Sequence, residues 1–145
     1  MKDDPKSIVR KSYQAYVDKD RAAIEAVLSD DFHFTSPLDN RLNRETYFDR
    51  CWKNSETIAG FKFVKLVSEG EHVFVTYEGQ NTTGKRFRNT EIMTVRDGKI
   101  VEVEVYFGWS IGQSRMRPRR EASSIPKVNS ATHCVMARLR WKRWA

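Results

Sequence analysis

Apolar residues recur at helical spacing through the first third of the chain and alternate with polar ones from Phe61 onward. Asp4-Pro5 predicts a helix start, an acid at the cap followed by proline at the first helical position. Behind it Val9, Tyr13, Tyr16 and Val17 form one apolar stripe that carries two phenols. Asp20 is placed to cap a second, short helix in which Ala23, Ile24, Val27 and Leu28 make the buried face. From Asp31 to Ser36 the chain alternates Phe32 and Phe34 against His33 and Thr35, a strand pattern stopped by Pro37. Residues 41–44 read as a loop whose Arg41 and Arg44 could reach an anionic group, although a solvated loop explains them as well. Asn43 then caps a third helix with Tyr47, Phe48, Cys51 and Trp52 on one side.

The period-two pattern predicts strands near 61–67, 72–80, 86–96 and 99–108. Gly70, the Asn81–Gly84 cluster and Asp97-Gly98 punctuate them, and Asp-Gly is the strongest of these hairpin signals because both residues tolerate φ > 0. Helices followed by an antiparallel meander predict an α+β domain over residues 1–110. After Ser110 the pattern dissolves: 114–126 is polar, basic and aperiodic, as a linker or disordered segment would be. From Ala131 a helix is possible, with Val135, Met136 and Leu139 together.

Charge sharpens that boundary. The whole chain of 145 residues carries +7, while residues 111–145 hold nine Lys/Arg and the single acid Glu121, a net of +8. The body is therefore close to neutral at −1, and the basic character belongs to the tail. Such a tail supports contact with nucleic acid or an acidic surface, with Trp141 and Trp144 for stacking, or is equally an extension without selected function. Two cysteines, Cys51 and Cys134, stand in no metal or redox spacing, which fits a reducing, cytoplasmic setting. The acidic, polar start predicts no signal peptide, and no apolar run reaches the ~20 residues of a membrane span.

Two blocks carry a family resemblance. Residues 20–37, DRAAIEAVLSDDFHFTSP, are similar to the helix-to-strand entry of the nuclear-transport-factor-2-like superfamily, within it to the SnoaL-like proteins. Residues 87–100, FRNTEIMTVRDGKI, followed by 103–109, VEVYFGW, form the second block. The resemblance spans about residues 5–110 and implies a cone, about three helices packed on a curved antiparallel sheet. It also implies a small-molecule pocket and a homodimer through the outer sheet face, with Thr90, Ile92, Thr94, Glu102, Glu104 and Tyr106 there. It does not imply one activity, because this fold hosts many. Ketosteroid isomerase, a member, opposes a carboxylate base with a tyrosine and a protonated acid. The base position falls on Ser36, the tyrosine position on Ser12 with Tyr13 and Tyr16 nearby, and the acid position on Glu91. Epoxide hydrolases of this fold need an Arg/Asp pair and a further Asp where Tyr77, Gly79 and Val105 stand here. Neither reaction is implied in its known form.

Strand parity selects the candidate pocket. If Glu91 points inward, so do Phe87, Asn89, Met93 and Val95, and on the last strand Val101, Val103, Val105, Phe107 and Trp109. Phe34, Ser36, Tyr16, Tyr47, Cys51 and Trp52 complete the lining. A lone carboxylate among Phe, Met and Val is costly unless paired or protonated. Glu91 is thus a candidate acid, base or ligand anchor, with Asn89 orienting it and Tyr13 beside it. The structural alternative is an ion pair or hydrogen bond to Arg50, Arg88 or a tyrosine. His33 and His72 are expected at the surface, and His133-Cys134 is too short a cluster for a metal. Phosphate loops, HExxH, GxSxG and paired-cysteine zinc spacings are missing, so no nucleotide or metal cofactor is implied. The expectation is a domain binding a small apolar molecule, catalysing cofactor-independent isomerisation, hydration or cyclisation, or else serving as a non-catalytic dimeric ligand-binding or assembly module.

Overall fold

The computed structural model describes residues 4–112, and the expectations for the tail beyond them lie outside the described residues. Three helices, α1 (Pro5–Asp18), α2 (Arg21–Val27) and α3 (Arg44–Arg50), and a 3-10 segment at Trp52–Thr57 pack on one sheet. Its strands are β1 (Leu28–Ser36), β2 (Asp39–Asn43), β3 (Ile58–Glu69), β4 (His72–Asn81), β5 (Arg86–Arg96) and β6 (Lys99–Ile111). They lie in the order β2-β1-β6-β5-β4-β3, all pairs antiparallel except β1 with β6. This is the expected α+β cone, a curved and unclosed sheet with helices over its concave face.

Local chemistry sets the helix ends. The Asp4 carboxylate accepts from the Lys6 N–H with Pro5 at the first helical position, and Asp20 accepts from Ala23. Asn43 accepts from the Thr46 N–H and starts α3. Lys19 ends α1 in the left-handed region at φ 57°, which turns the chain directly into the second cap. The β5–β6 hairpin turns on Asp97 and Gly98, both at positive φ, as the Asp-Gly pair predicts.

Four features differ from the sequence reading. Helix α2 stops at Val27, and Leu28 is already the first residue of β1, so that strand is longer than the alternation shows. Residues 39–43 form an edge strand rather than a loop: the Ser36 hydroxyl accepts from the Leu38 N–H and turns the chain back. A polar run, Asp39 to Asn43, carries no period-two signal because only an edge is being covered. The 3-10 segment also went unread.

The fourth difference concerns facing. The β5–β6 register slips twice, once where Arg88 and Asn89 oppose Trp109 and Phe107, and once where Thr94 and Val95 oppose Glu102 and Ile100. Each slip is a bulge, at Gly108 and at Val101, and each reverses the alternation beyond it. Trp109 is consequently 59% exposed on the outer face, its ring under the Arg88 guanidinium, and Ile100 takes the inward place expected of Val101. Gly108 is required at its bulge, since a Cβ there would overlap the Arg88 carbonyl oxygen.

Candidate functional site

The helices and the concave face enclose a small apolar cavity of about 40 Å³. Its wall is Ile24 from α2, Leu28, Phe32 and Phe34 from β1, Met93 from β5, and Ile100 and Val103 from β6. Polar atoms enter from a few places only: Ser12, Tyr13 and Tyr16 on α1, Tyr47 on α3, Asn54 and Glu91. The Ser12 hydroxyl is already spent on the Val9 carbonyl of its own helix.

Glu91 is the centre of this arrangement. Its residue is 3% exposed, yet its carboxylate borders the cavity. The Tyr13 hydroxyl donates to Oε2 at 2.7 Å and the Tyr77 hydroxyl donates to Oε1 at 2.8 Å. Tyr13 reaches down from α1, where helical spacing puts it one turn before Tyr16. Tyr77 points up from β4, directly across from Asn89 on β5. Asn89 places its Nδ2 3.4 Å from the Tyr77 hydroxyl oxygen, while its Oδ1 accepts from the Gly108 N–H at 3.1 Å. Edge-to-face contacts of the Tyr13 ring with Phe61, Phe63 and Tyr77, all near 5 Å between centroids, hold the phenol in position. At the other side of the cavity the Tyr16 and Tyr47 hydroxyls bond to each other.

The electrostatics follow from this geometry. Burial raises the Glu91 carboxyl from its ordinary 4.5 to about 7, although the tyrosine donors pull the other way. Burial first, and the charge on Glu91 second, push the Tyr13 and Tyr77 phenols well up. Tyr16 and Tyr47 rise as well, mainly by burial. The four phenols therefore stay protonated, and Glu91 is the member of the group that titrates near neutrality.

Of the structural partners considered for Glu91, the tyrosines are the ones present. Arg50 instead sits 3.8 Å from Asp39, and Arg88 pairs with Glu78. Tyr13, Tyr16, Phe34, Tyr47, Cys51, Met93 and Val103 all line the cavity beside Glu91. Several other residues expected there do not. Ser36 is occupied at the β1–β2 turn, where it donates to Asp39. Trp52 lies outside and backs Tyr16, with ring centroids 5.0 Å apart. Phe87 packs against Tyr77, Val105 is buried opposite Glu91, and Phe107 opposes Asn89, all in the core next to the cavity. Trp109 is on the opposite face altogether. Asn89 is buried behind Tyr77, with its Nδ2 facing the Tyr77 hydroxyl oxygen.

Sequence reasoning overlooked Tyr77 as a partner of Glu91, although the alternation Val73, Val75, Tyr77 places it inward. It also overlooked Ile24, Leu28 and Ile100, whose places depend on the parallel β1–β6 pairing and on the Val101 bulge. His33 is half-buried on the outer face, and His72 shares a hydrogen bond with Thr94. Among the described residues no cluster of three or more His, Cys, Asp or Glu could hold a metal, and no helix is long and apolar enough to cross a membrane.

A family model, that of the SnoaL-like domain, matches residues 9–103. No curated protein matches the chain. Among solved structures it is similar to a nuclear-transport-factor-2-like protein from Burkholderia thailandensis, with 27% identity over 72% of this chain and 90% of that one, at a TM-score of 0.56. A second such protein, from Cytophaga hutchinsonii, shows 24% identity over 74% and 93% of the two chains, with a TM-score of 0.60. A candidate polyketide cyclase from Sinorhizobium meliloti shares 17% identity over 69% and 94%, with a TM-score of 0.59. The last two show a common fold alone. A family model that runs from α1 into β6, over helices and strands arranged as the resemblance implies, settles the family: the chain belongs to the SnoaL-like domains of the nuclear-transport-factor-2-like superfamily.

Proposed function

We propose that this domain binds a small, mostly apolar molecule in the cavity beneath α1, with Glu91 as its polar anchor and acid/base group. One observation carries the reading: a buried carboxylate borders an apolar cavity and has a tyrosine hydroxyl on each oxygen. A core needs no carboxylate there, and burying one costs stability that a hydrocarbon would not. A carboxyl that titrates near neutrality beside protonated phenols suits proton transfer to or from a bound molecule. Isomerisation, hydration or cyclisation of a small carbon skeleton requires that and no cofactor.

The test is a titration with small six-membered-ring molecules, neutral (cyclohexanone), cationic (cyclohexylamine) and anionic (cyclohexanecarboxylate), followed by NMR shifts of cavity residues. Saturable binding of at least one, abolished by the cavity-filling change Val103→Phe, is the expected result. If none binds, the reading is wrong.

A second reading rests on the outer sheet face. Val67, Phe74, Tyr106 and Trp109 are exposed there, and Val67, Phe74 and Ile92 are cross-strand neighbours. Such a surface supports self-association, in which the domain is a dimeric assembly module and the cavity is secondary.

A further inference from the structure

The hydrogen bonds behind Glu91 have a direction, and the direction starts at the backbone. The Gly108 N–H can only donate, so the Asn89 atom facing it is the carbonyl Oδ1 and the atom facing Tyr77 is Nδ2. An amide NH₂ carries hydrogens toward the Tyr77 oxygen and excludes that hydroxyl's own hydrogen from the same side, even at the 3.4 Å separation. The Tyr77 hydrogen therefore goes to Glu91 Oε1, which is held as an acceptor. No such constraint acts on Tyr13. Its hydroxyl meets Glu91 Oε2, and nothing else among the described residues donates to it. The Gly108 bulge that turns Trp109 outward is thus also what aims a backbone donor at Asn89.

We infer that Asn89 and Tyr77 are positioning residues that confine the Glu91 proton to Oε2, so that the protonated site presents the Tyr13 hydroxyl to the carbonyl oxygen of a neutral bound molecule. The proton balance is simple. When Glu91 is ionised, Tyr13 donates to Oε2 and offers the cavity only a lone pair. When Glu91 takes up a proton at Oε2, that O–H donates to the Tyr13 oxygen, and the Tyr13 hydrogen turns to the cavity. The carboxylic acid then polarises the phenol that holds the carbonyl, a cooperative chain in a low-dielectric site.

Other groups facing Glu91 leave this switch to Glu91 itself. Tyr16 on α1, Tyr47 on α3 and Tyr77 on β4 are held protonated by burial, and β6 presents Val105 opposite it. The Glu91 carboxyl, raised to about 7, changes state in the working range. No Lys, Arg or His is among the described residues that line the cavity, so a neutral acceptor fits the protonated state better than an anion fits either.

This inference rests on the small-molecule reading above. Cyclohexanone is titrated into the full-length protein between pH 5.5 and 8.5, with cyclohexylamine and cyclohexanecarboxylate as controls. Ketone affinity is expected to fall about tenfold for each pH unit above the Glu91 midpoint, because only the protonated fraction is competent. Tyr13→Phe should lose ketone binding throughout, and Glu91→Gln should flatten the pH profile. Asn89→Leu frees the proton to sit on either oxygen, so affinity at pH 5.5 should drop about twofold or more and the carboxyl midpoint should rise. That midpoint is read without any added molecule from the ¹³C shift of the Glu91 carboxyl, assigned with Glu91→Gln, which tests the Asn89 arm independently. A wild-type midpoint and ketone profile in Asn89→Leu overturn the inference, as does unchanged ketone binding by Tyr13→Phe. Binding of the amine or the carboxylate but not the ketone overturns it while leaving the small-molecule reading intact. Binding of none removes both.

Discussion

Replacing Glu91 by Gln tests whether its carboxyl is a strained titrating group or a stabilising one. In the fold the carboxyl is raised from 4.5 to about 7, chiefly by burial. A folded-state value above the unfolded one means that the native state holds the proton more tightly. Stability is then full below about pH 4.5, and it declines as pH rises to about 7, above which the loss is complete. The gap between the two values, at about 1.4 kcal/mol for each pH unit, comes to about 3 kcal/mol. Glutamine reproduces the neutral arrangement: its carbonyl accepts from Tyr77 and its NH₂ donates to Tyr13. Glu91→Gln should therefore match wild type near pH 4.5 and exceed it by up to about 3 kcal/mol at pH 8. For a domain of this size that is a rise in Tm of roughly 10 °C or more. Urea unfolding of both proteins at pH 4.5, 6, 7 and 8 measures it. Asp31 and Glu78, both lowered by hydrogen bonds, titrate with the opposite sign at lower pH and cancel in the difference between the two proteins. A difference that does not change with pH refutes the reasoning. So does a Gln variant less stable than wild type at pH 8 by the ~3–5 kcal/mol expected on breaking a buried ion pair.

Gly108→Ala forces a Cβ into the Arg88 carbonyl oxygen and should cost at least about 1–3 kcal/mol in urea unfolding, as overpacking does; an unchanged midpoint would show that the bulge can relax. Light scattering at tens of micromolar should give a dimer mass, and Ile92→Arg on the outer face should give a monomer; a monomeric wild type refutes the dimer. Removing residues 113–145 should leave the melting temperature within a few degrees, because all described helices and strands are complete by Ile111; an insoluble or unfolded product places part of the tail in the fold. Tyr16→Phe leaves the Tyr47 hydroxyl without its buried partner and should cost about 1–3 kcal/mol, read by the same unfolding assay; no loss would mean that water replaces it.

What the sequence alone determined is local. The caps at Asp4, Asp20 and Asn43, the Asp97-Gly98 turn and the alternation through β4 and β5 depend on neighbours within a few residues, and each forms as read. The inward carboxylate was equally legible, because Glu91 breaks a run of apolar positions on one strand face. Everything that depends on register came from the tertiary structure. A single extra residue at Gly108 reverses facing beyond it, so Trp109 leaves the cavity side, and the extra residue at Val101 brings Ile100 in. Parity counted along one strand has no means of detecting a bulge, which exists only relative to the strand beside it. The same holds for the partners of Glu91. Tyr13 is 78 positions away in the chain and Tyr77 14, and neither spacing carries a signal. Pairing of β4 with β5 brings the Tyr77 hydroxyl to that carboxylate and closure of α1 over the curved sheet brings the Tyr13 hydroxyl, and it is that closure, with the desolvation it imposes, that turns an inward glutamate into a group that titrates near neutrality.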